Sequence, residues 1–262
     1  MHMSERIDIT NRESLQSFIL KANPDYIINC AALTDVDLCE NNKSIAYDVN
    51  VAGMKNLLSA TSNKCKIIHI STDYIFDGKK QLYTEDDIPN PISYYGKTKL
   101  ESENILRGSK RESLILRTSV LFNNSSNNNF YSWVRRTLES NKEIHVVTDQ
   151  VSNPTWTWSF SEAIFKSIIS NLDGVLHFAG NDILSRYEFA IKIANSSGLD
   201  PNMVIPISTE ELNQQAPRPL CTVLSTNKIK KLINIEQPSL DFILEKLNMH
   251  IKDEIFSIKG LS

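Results

Sequence analysis

The sequence predicts an α/β fold, a doubly wound and largely parallel sheet with a small C-terminal lobe, on three observations. Short apolar runs alternate with helical patterns, as they do when crossover helices join parallel strands. Runs such as Tyr26-Ile27-Ile28-Asn29-Cys30 are too short for helices and suit strands buried in a parallel sheet. A chain of 262 residues can bury a full core, as one large domain or one domain with a lobe.

In chain order, Asp8-Ile9-Thr10 precedes a helical pattern from Asn11 to Ala22, with Leu15, Phe18 and Ile19 apolar and Pro24 as its stop. The run Tyr26–Cys30 follows as a strand and leads into Ala31-Ala32-Leu33-Thr34, a small-residue turn. Two readings of that turn stand: close packing, or room for a nucleotide to approach the backbone. Apolar residues Ile45, Val49, Ala52, Leu57 and Ala60 make Asn41 to Ser62 a helix, with Asn50 inside it. A strand at Ile67–Ile70, a helix through Thr98–Leu106 to Arg107 and a strand at Leu114–Ser119 come next. Helix 129–140, strand Ile144–Val147, helix 159–171 and strand Val175–Phe178 continue the alternation. The tail holds a helix at Arg186–Ser196, a loop with Ala216-Pro217-Arg218-Pro219 and a final helix from about Ser239. The Asn-rich stretch Asn123–Asn129 reads as a flexible loop. No internal repeat is found.

Composition narrows the function classes. Lys plus Arg number 28 against 31 Asp plus Glu, a net charge of −3, so there is no electrostatic footprint for nucleic acid. Cys30, Cys39, Cys65 and Cys221 are scattered without Cys-x-x-Cys pairs, which argues against a zinc site or a disulfide framework and for reduced thiols. No apolar run approaches the roughly 18 residues that span a bilayer, and Met-His-Met-Ser-Glu-Arg lacks the apolar region of a signal peptide. The expectation is a soluble, cytoplasmic protein with no metal.

Chemistry concentrates between Ile67 and Lys99. The strand ends in Ser71-Thr72-Asp73-Tyr74, and Asn90-Pro91-Ile92-Ser93-Tyr94-Tyr95-Gly96-Lys97-Thr98-Lys99 follows an acidic turn. Tyr95 and Lys99, four apart, share one helix face. An adjacent ammonium favours the phenolate and would bring a phenol that ionises near pH 10 toward working pH, making Tyr95 a proton donor or acceptor. The Thr72 hydroxyl, at the C-terminal end of a strand where open α/β sheets bind ligands, would hydrogen-bond a substrate carbonyl.

Ser-Thr-Asp-Tyr-x-Phe-Asp-Gly, then Tyr-x-Glu-x-Asp, then Asn-Pro-x-x-x-Tyr-Gly-x-(Ser/Thr)-Lys, in this order and spacing, resembles the extended short-chain dehydrogenase/reductase superfamily. Within it the chain most resembles the dTDP-4-dehydrorhamnose reductases and their non-catalytic relative, the regulatory beta subunit of methionine adenosyltransferase, from about Asp8 to about Leu232. The resemblance implies a Rossmann-like sheet, with residues 1–150 as the dinucleotide-binding part and 151–262 as a substrate-binding part interleaved with it. It implies hydride transfer from NADPH or NADH to the 4-keto carbon of a nucleotide-linked 6-deoxysugar. Thr72, Tyr95 and Lys99 would be catalytic. Asp8 and Ile9 would flank the adenine, Ala31, Ala32 and Leu33 would line the cofactor groove, and Lys99 would hold the nicotinamide ribose. Asp73, Val120 and Arg218 would face the sugar nucleotide, Arg218 at its diphosphate, and Asn50 would steady the active-site strand. A homodimer or a regulatory partner protein is expected on the same ground.

The chain departs from the reductase pattern in three places, and from that of the related dehydratases in one. Asp149-Gln150-Val151-Ser152-Asn153-Pro154-Thr155 carries Ser152 where the family has glycine, which bears on a φ > 0 turn there. Val120 stands where the reductases carry an aromatic, in Arg117-Thr118-Ser119-Val120-Leu121-Phe122. Tyr74 replaces the Glu of the related dehydratases and so disfavours water elimination. Finally, a dinucleotide needs a glycine-rich turn at a helix N-terminus, and the first of eight glycines is Gly53. Family members carry a βα unit of roughly 30 residues or more before the Asp-(Ile/Leu)-Thr element; here seven residues precede it. The missing strand would be the middle of the sheet and would leave two edges unpaired. Three explanations follow: an N-terminally shortened form without activity, a short non-catalytic regulatory relative, or a chain in which another segment fills the gap. An epimerase of the same superfamily would need the same loop.

Overall fold

In a computed structural model, residues 6–125 and 128–259 are described, with side chains through 249. The first five residues, and positions 126 and 127 of the Asn-rich loop, lie outside the described residues. Helix α1 (Arg12–Ala22) is capped by Asn11, whose side chain accepts from the Ser14 N–H, and it ends at Asn23 in the left-handed region. Strand β1 (Tyr26–Asn29) leads to α2 (Val36–Asn41) and α3 (Lys43–Tyr47). A π-turn over Asp48–Ala52 and α4 (Gly53–Ala60) follow. The expected single helix 41–62 is therefore broken by the π-turn that holds Asn50.

Strand β2 (Lys66–Thr72), α5 (Tyr94–Gly108) and β3 (Ser113–Thr118) form the centre. Short β4 (Leu121–Phe122), α6 (Phe130–Glu139) and β5 (Ile144–Val147) lead away from it. Two-residue strands β6 (Val151–Ser152) and β7 (Thr155–Trp156) precede α7 (Thr157–Ile169) and β8 (Gly174–His177). The tail is β9 (Leu184–Ser185), α8 (Arg186–Ser197), β10 (Val204–Ile207), α9 (Thr209–Leu212), α10 (Asn227–Ile233) and α11 (Leu240–Lys259).

The main sheet is parallel in the order β1-β2-β3-β8. Helices cover both faces: α1, α4 and α5 pack on one side through Leu15, Ile19, Met54, Leu57 and Leu106, and α7 and α10 on the other through Phe160, Ala163, Ile164, Ile229 and Ile233. The expected gap in mid-sheet does not occur. Strand β1 pairs directly with β2, Tyr26 opposite Lys66 through Asn29 opposite His69, because their crossover carries the chain to the adjacent position. Exposure falls instead on one face of β1, opposite the face that packs Ile27 against the α1–α4–α5 core, where Tyr26 is 41% and Ile28 45% exposed.

A second core gathers Phe122, Tyr131, Val134, Leu138, Ile144, Phe189, Ile193, Val204 and Leu244. Its backbone pairing, β10 with β5, is parallel and separate from the main sheet. The sequence gives no strand signal at 204–207 because Pro206 interrupts the run. The four cysteines are free thiols, and no helix of the described residues is long and apolar enough to cross a membrane.

Candidate active site

Strand β2 ends at Thr72, whose hydroxyl caps a 3₁₀ turn over Asp73–Ile75 by accepting from the Tyr74 N–H at 3.2 Å. Helix α5 starts against that turn, with the Ser93 hydroxyl accepting from the Gly96 N–H at 3.2 Å. A Cβ on Gly96 would lie 2.1 Å from the Tyr74 carbonyl oxygen, so only glycine lets the helix end come this close. The contact seats Tyr95 beside Thr72, with the Tyr74 ring edge-on at 6.0 Å.

Tyr95 is 8% exposed. Burial pushes its phenol well above the ordinary value of 10, with the Thr72 hydroxyl pulling only partly back. The expected activation by Lys99 is absent from this arrangement. Lys99 Nζ donates to the Ile70 carbonyl at 2.7 Å and abuts His69 Nε2 at 3.4 Å. The four-residue spacing places both residues on one face, but a butylamine arm is long enough to turn toward the strand instead. Burial lowers Lys99 to about 8, against the pull of Glu103 and Cys30.

Asp73 is buried and accepts from three hydroxyls: Thr72 at 3.1 Å, Ser119 at 2.7 Å, and Thr222. Burial raises its pKa, while Thr222, Ser119, the Arg186 charge and Thr72 act against that rise. Thr222 carries no signal in the sequence; it arrives from 149 residues away. Asn50, in the π-turn, accepts from the Leu33 N–H at 2.8 Å and donates to the Leu33 carbonyl at 3.1 Å and to Thr98 Oγ1 at 2.9 Å. It is buried rather than surface-exposed, and it ties the Ala31-Ala32-Leu33 segment, at the C-terminal end of β1, to helix α5.

Asp8 is exposed and accepts from the Thr10 N–H and hydroxyl, both at 2.8 Å. Ile9, expected beside an adenine, is instead a core residue: a Cβ on Gly53 would lie 2.8 Å from its side chain. Ser152 lies in extended β6, and no positive φ occurs there, so this loop does not need the glycine. Asn153 holds it by donating to the Gly180 and Leu224 carbonyls at 3.2 and 3.0 Å.

Beside Tyr74 opens a cavity of about 740 Å³. Arg136, Arg186, Arg218 and His145 line it with Phe130, Trp133 and Val120, and no carboxylate is among its described lining residues. Arg218, read from the sequence as suited to a diphosphate, forms a salt bridge instead: Nη1 and Nη2 pair with Asp37 Oδ1 and Oδ2 at 2.9 and 2.8 Å. Arg186 and Arg136 have no salt bridge among the described residues. The Arg186 guanidinium stacks over Phe130 at 5.3 Å. Neither arginine was singled out from the sequence, since no local pattern separates them from surface arginines. Val120 has φ +43°, a strained value for a β-branched residue, at the cavity wall.

Residues 2–250 match the family described as RmlD substrate binding domain. The chain belongs to that family. It is 36% identical over 246 residues to dTDP-4-dehydrorhamnose reductase of Aggregatibacter actinomycetemcomitans, covering 89% of this chain and 83% of that protein. It is 35% identical over 227 residues to the spore coat polysaccharide biosynthesis protein SpsK of Bacillus subtilis, covering 86% and 79%. A crystal structure of dTDP-4-dehydrorhamnose reductase from Bacillus anthracis in complex with NADP superposes with a TM-score of 0.88 at 33% identity, covering 93% of this chain and 87% of that one. The RmlD family lies within the extended short-chain dehydrogenase/reductase superfamily inferred from the motifs.

Set against a nicotinamide dinucleotide, the residues of this RmlD-family chain fit one end of the cofactor. Tyr95 and Lys99 stand at the C-terminal end of β2 and suit the nicotinamide riboside. For the pyrophosphate, no glycine-rich turn joins a strand to a helix N-terminus among the described residues: Gly53 is inside a helix, and Gly96 is closed off by Tyr74.

Proposed function

We propose that this chain reduces the 4-keto group of a nucleotide-linked 6-deoxysugar, as a dTDP-4-dehydrorhamnose reductase does. The observation that carries the reading is the cavity: guanidinium groups with no salt bridge among the described residues, suited to a diphosphate, line it together with Tyr74, whose ring meets the buried, protonated Tyr95 edge-on at 6.0 Å. NADPH or NADH, when bound, would supply the hydride. Thr72 Oγ1 holds the carbonyl oxygen, and Tyr95 donates its phenolic proton to the alkoxide. A phenol kept protonated by burial suits a donor in the reducing direction. The Thr72 hydroxyl has one proton and donates it to Asp73 at rest, so holding the carbonyl oxygen requires it to turn from Asp73 to the substrate. Lys99 would meet the ribose. Arg186 and Arg136 neutralise the diphosphate, while Phe130 and Trp133 offer faces for a base. Val120, smaller than an aromatic, leaves the sugar more room.

The test is reduction of dTDP-4-dehydro-6-deoxyglucose or dTDP-4-dehydrorhamnose by the purified chain with NADPH or NADH, followed at 340 nm. Tyr95→Phe is expected to lower kcat by about 10²- to 10⁴-fold while leaving dTDP binding intact. A folded chain that binds neither dTDP nor either cofactor overturns the reductase reading and favours a non-catalytic scaffold.

A further inference from the structure

Strands β1 and β2 place Asn29 and His69 side by side, two residues before the small-residue turn on one strand and three before Thr72 on the other. Their side chains join the Ala31 backbone to the Lys99 amine. The Ala31 N–H meets Asn29 Oδ1 at 3.2 Å, Asn29 Nδ2 meets His69 Nδ1 at 3.3 Å, His69 Nε2 meets Lys99 Nζ at 3.4 Å, and Nζ donates to the Ile70 carbonyl at 2.7 Å.

The direction of each bond follows from what each group can do. A backbone N–H can only donate, so the Asn29 oxygen faces Ala31 and its amide nitrogen faces the ring. An amide nitrogen can only donate, so His69 Nδ1 is the bare, accepting nitrogen. Burial, and after it the charge of Lys99 when that group is protonated, hold the imidazole well below its ordinary 6.5, so the ring carries one proton, which in this bonding pattern sits on Nε2. That N–H points at Nζ. An ammonium has no lone pair to receive it, whereas a neutral amine does.

We propose that Asn29 and His69 are positioning residues for Lys99, forming one polarised hydrogen-bond chain from the Ala31 backbone that favours the neutral amine of the lysine over its ammonium. Protonating Lys99 then requires a concerted change. The ammonium must donate to Nε2, the ring proton must move to Nδ1, and the Asn29 amide must turn its oxygen to the ring. The Ala31 N–H thereby loses its acceptor. The charge on Lys99 and the backbone of the small-residue turn are one coupled unit.

The other groups acting on Lys99 do not favour this state by themselves. Glu103 and the Cys30 thiol both act to keep it charged, and Glu103 is itself committed to Arg117 and Ser71. Burial and the ring orientation oppose them. What the switch does for turnover rests on the reductase reading; the proton positions themselves do not.

The experiment is NMR on the full chain with ¹⁵N-labelled histidine, lysine and alanine, titrated from pH 6 to 10, with Lys99→Arg and His69→Gln for assignment. Above the Lys99 midpoint, His69 is expected as the Nε2–H tautomer. As pH falls through that midpoint, the ring shifts to Nδ1–H and the Ala31 amide resonance moves with the same midpoint. In Asn29→Asp a carboxylate prefers an Nδ1–H partner, so the tautomer is expected to reverse throughout and Lys99 to bind its proton about tenfold or more tightly. Should that variant not fold, His69→Gln, which can turn its oxygen to Nζ, is expected to raise the Lys99 midpoint as well. An Nδ1–H tautomer in the unmodified chain at pH 9–10 overturns the proposal, as does a Lys99 midpoint unmoved in both variants. No readout uses substrate or cofactor, so failure of turnover and failure of this proposal are separable.

Discussion

Two arginines within this fold meet opposite fates. Arg117, on β3, is 2% exposed, with Nε and Nη2 on Glu103 at 3.1 and 2.7 Å and its plane over Phe76 at 5.5 Å. Ser71 completes the Glu103 carboxylate. Arg186, on α8, reaches the cavity with an aromatic ring beneath it and no salt bridge among the described residues, its charge acting on Asp73 only from a distance. A buried charge with an uncompensated neighbour is costly, so the interior pair is matched within itself. At the cavity wall solvent bears that burden, and the charge stays available to a ligand. Arg218 lies between these cases: it lines the cavity, yet Asp37 holds it.

The contrast predicts effects of different kind and size. Glu103→Leu strands the Arg117 charge in the interior and is expected to cost about 3–5 kcal/mol of stability, read from urea denaturation midpoints; a loss under 1 kcal/mol would remove Arg117 from the structural class. Arg186→Met should leave that midpoint nearly unchanged and weaken dTDP binding by about tenfold to a hundredfold, the worth of a charged hydrogen bond, by calorimetry. Equal affinities would move the diphosphate elsewhere in the cavity.

A third effect reads the interior through pH. His177, beside Arg117 at 3.3 Å, is pushed down to about 3, first by burial and then by that guanidinium. Its folded pKa lies below the unfolded 6.5, so the unfolded chain binds the extra proton. Stability is full above about 6.5 and falls as pH drops toward 3, by about 1.4 kcal/mol per pH unit for this residue. His69, also lowered, adds in the same direction. Denaturation midpoints at pH 7, 6 and 5 check the slope, and His177→Leu should flatten it.

The smallest effect belongs to the intermediate case. Arg218 holds the Asp37 carboxyl below its ordinary 3.8, so this contribution is present above that value and lost as pH falls through the lowered one. Asp37 is 37% exposed, and solvent screening limits the pair to about 1 kcal/mol or less. Asp37→Asn is expected to change stability within that limit while freeing Arg218 and tightening dTDP binding; weaker binding would assign Asp37 itself to the site.

Much of the fold was legible because its signals are local. The apolar runs at Tyr26–Cys30, Ile67–Ile70 and Leu114–Ser119, each followed by a helical period, point to parallel pairing through crossovers, and strands form there. The motif from Ser71 to Lys99 places Thr72, Tyr95 and Lys99 at one strand end because strand, turn and helix are consecutive. What the sequence could not supply was direction and partnership across distance. Whether Lys99 turns to Tyr95 or to His69 depends on a flexible arm meeting the Ile70 carbonyl. Whether Arg218 or Arg186 is free depends on where Asp37, 181 residues from Arg218, happens to lie. Thr222 reaches Asp73 only after the C-terminal segment has folded back over the strand ends. Short-range periodicity determines which elements form and in what order they pair; the state of each charge is decided by neighbours that tertiary packing alone brings within hydrogen-bonding reach.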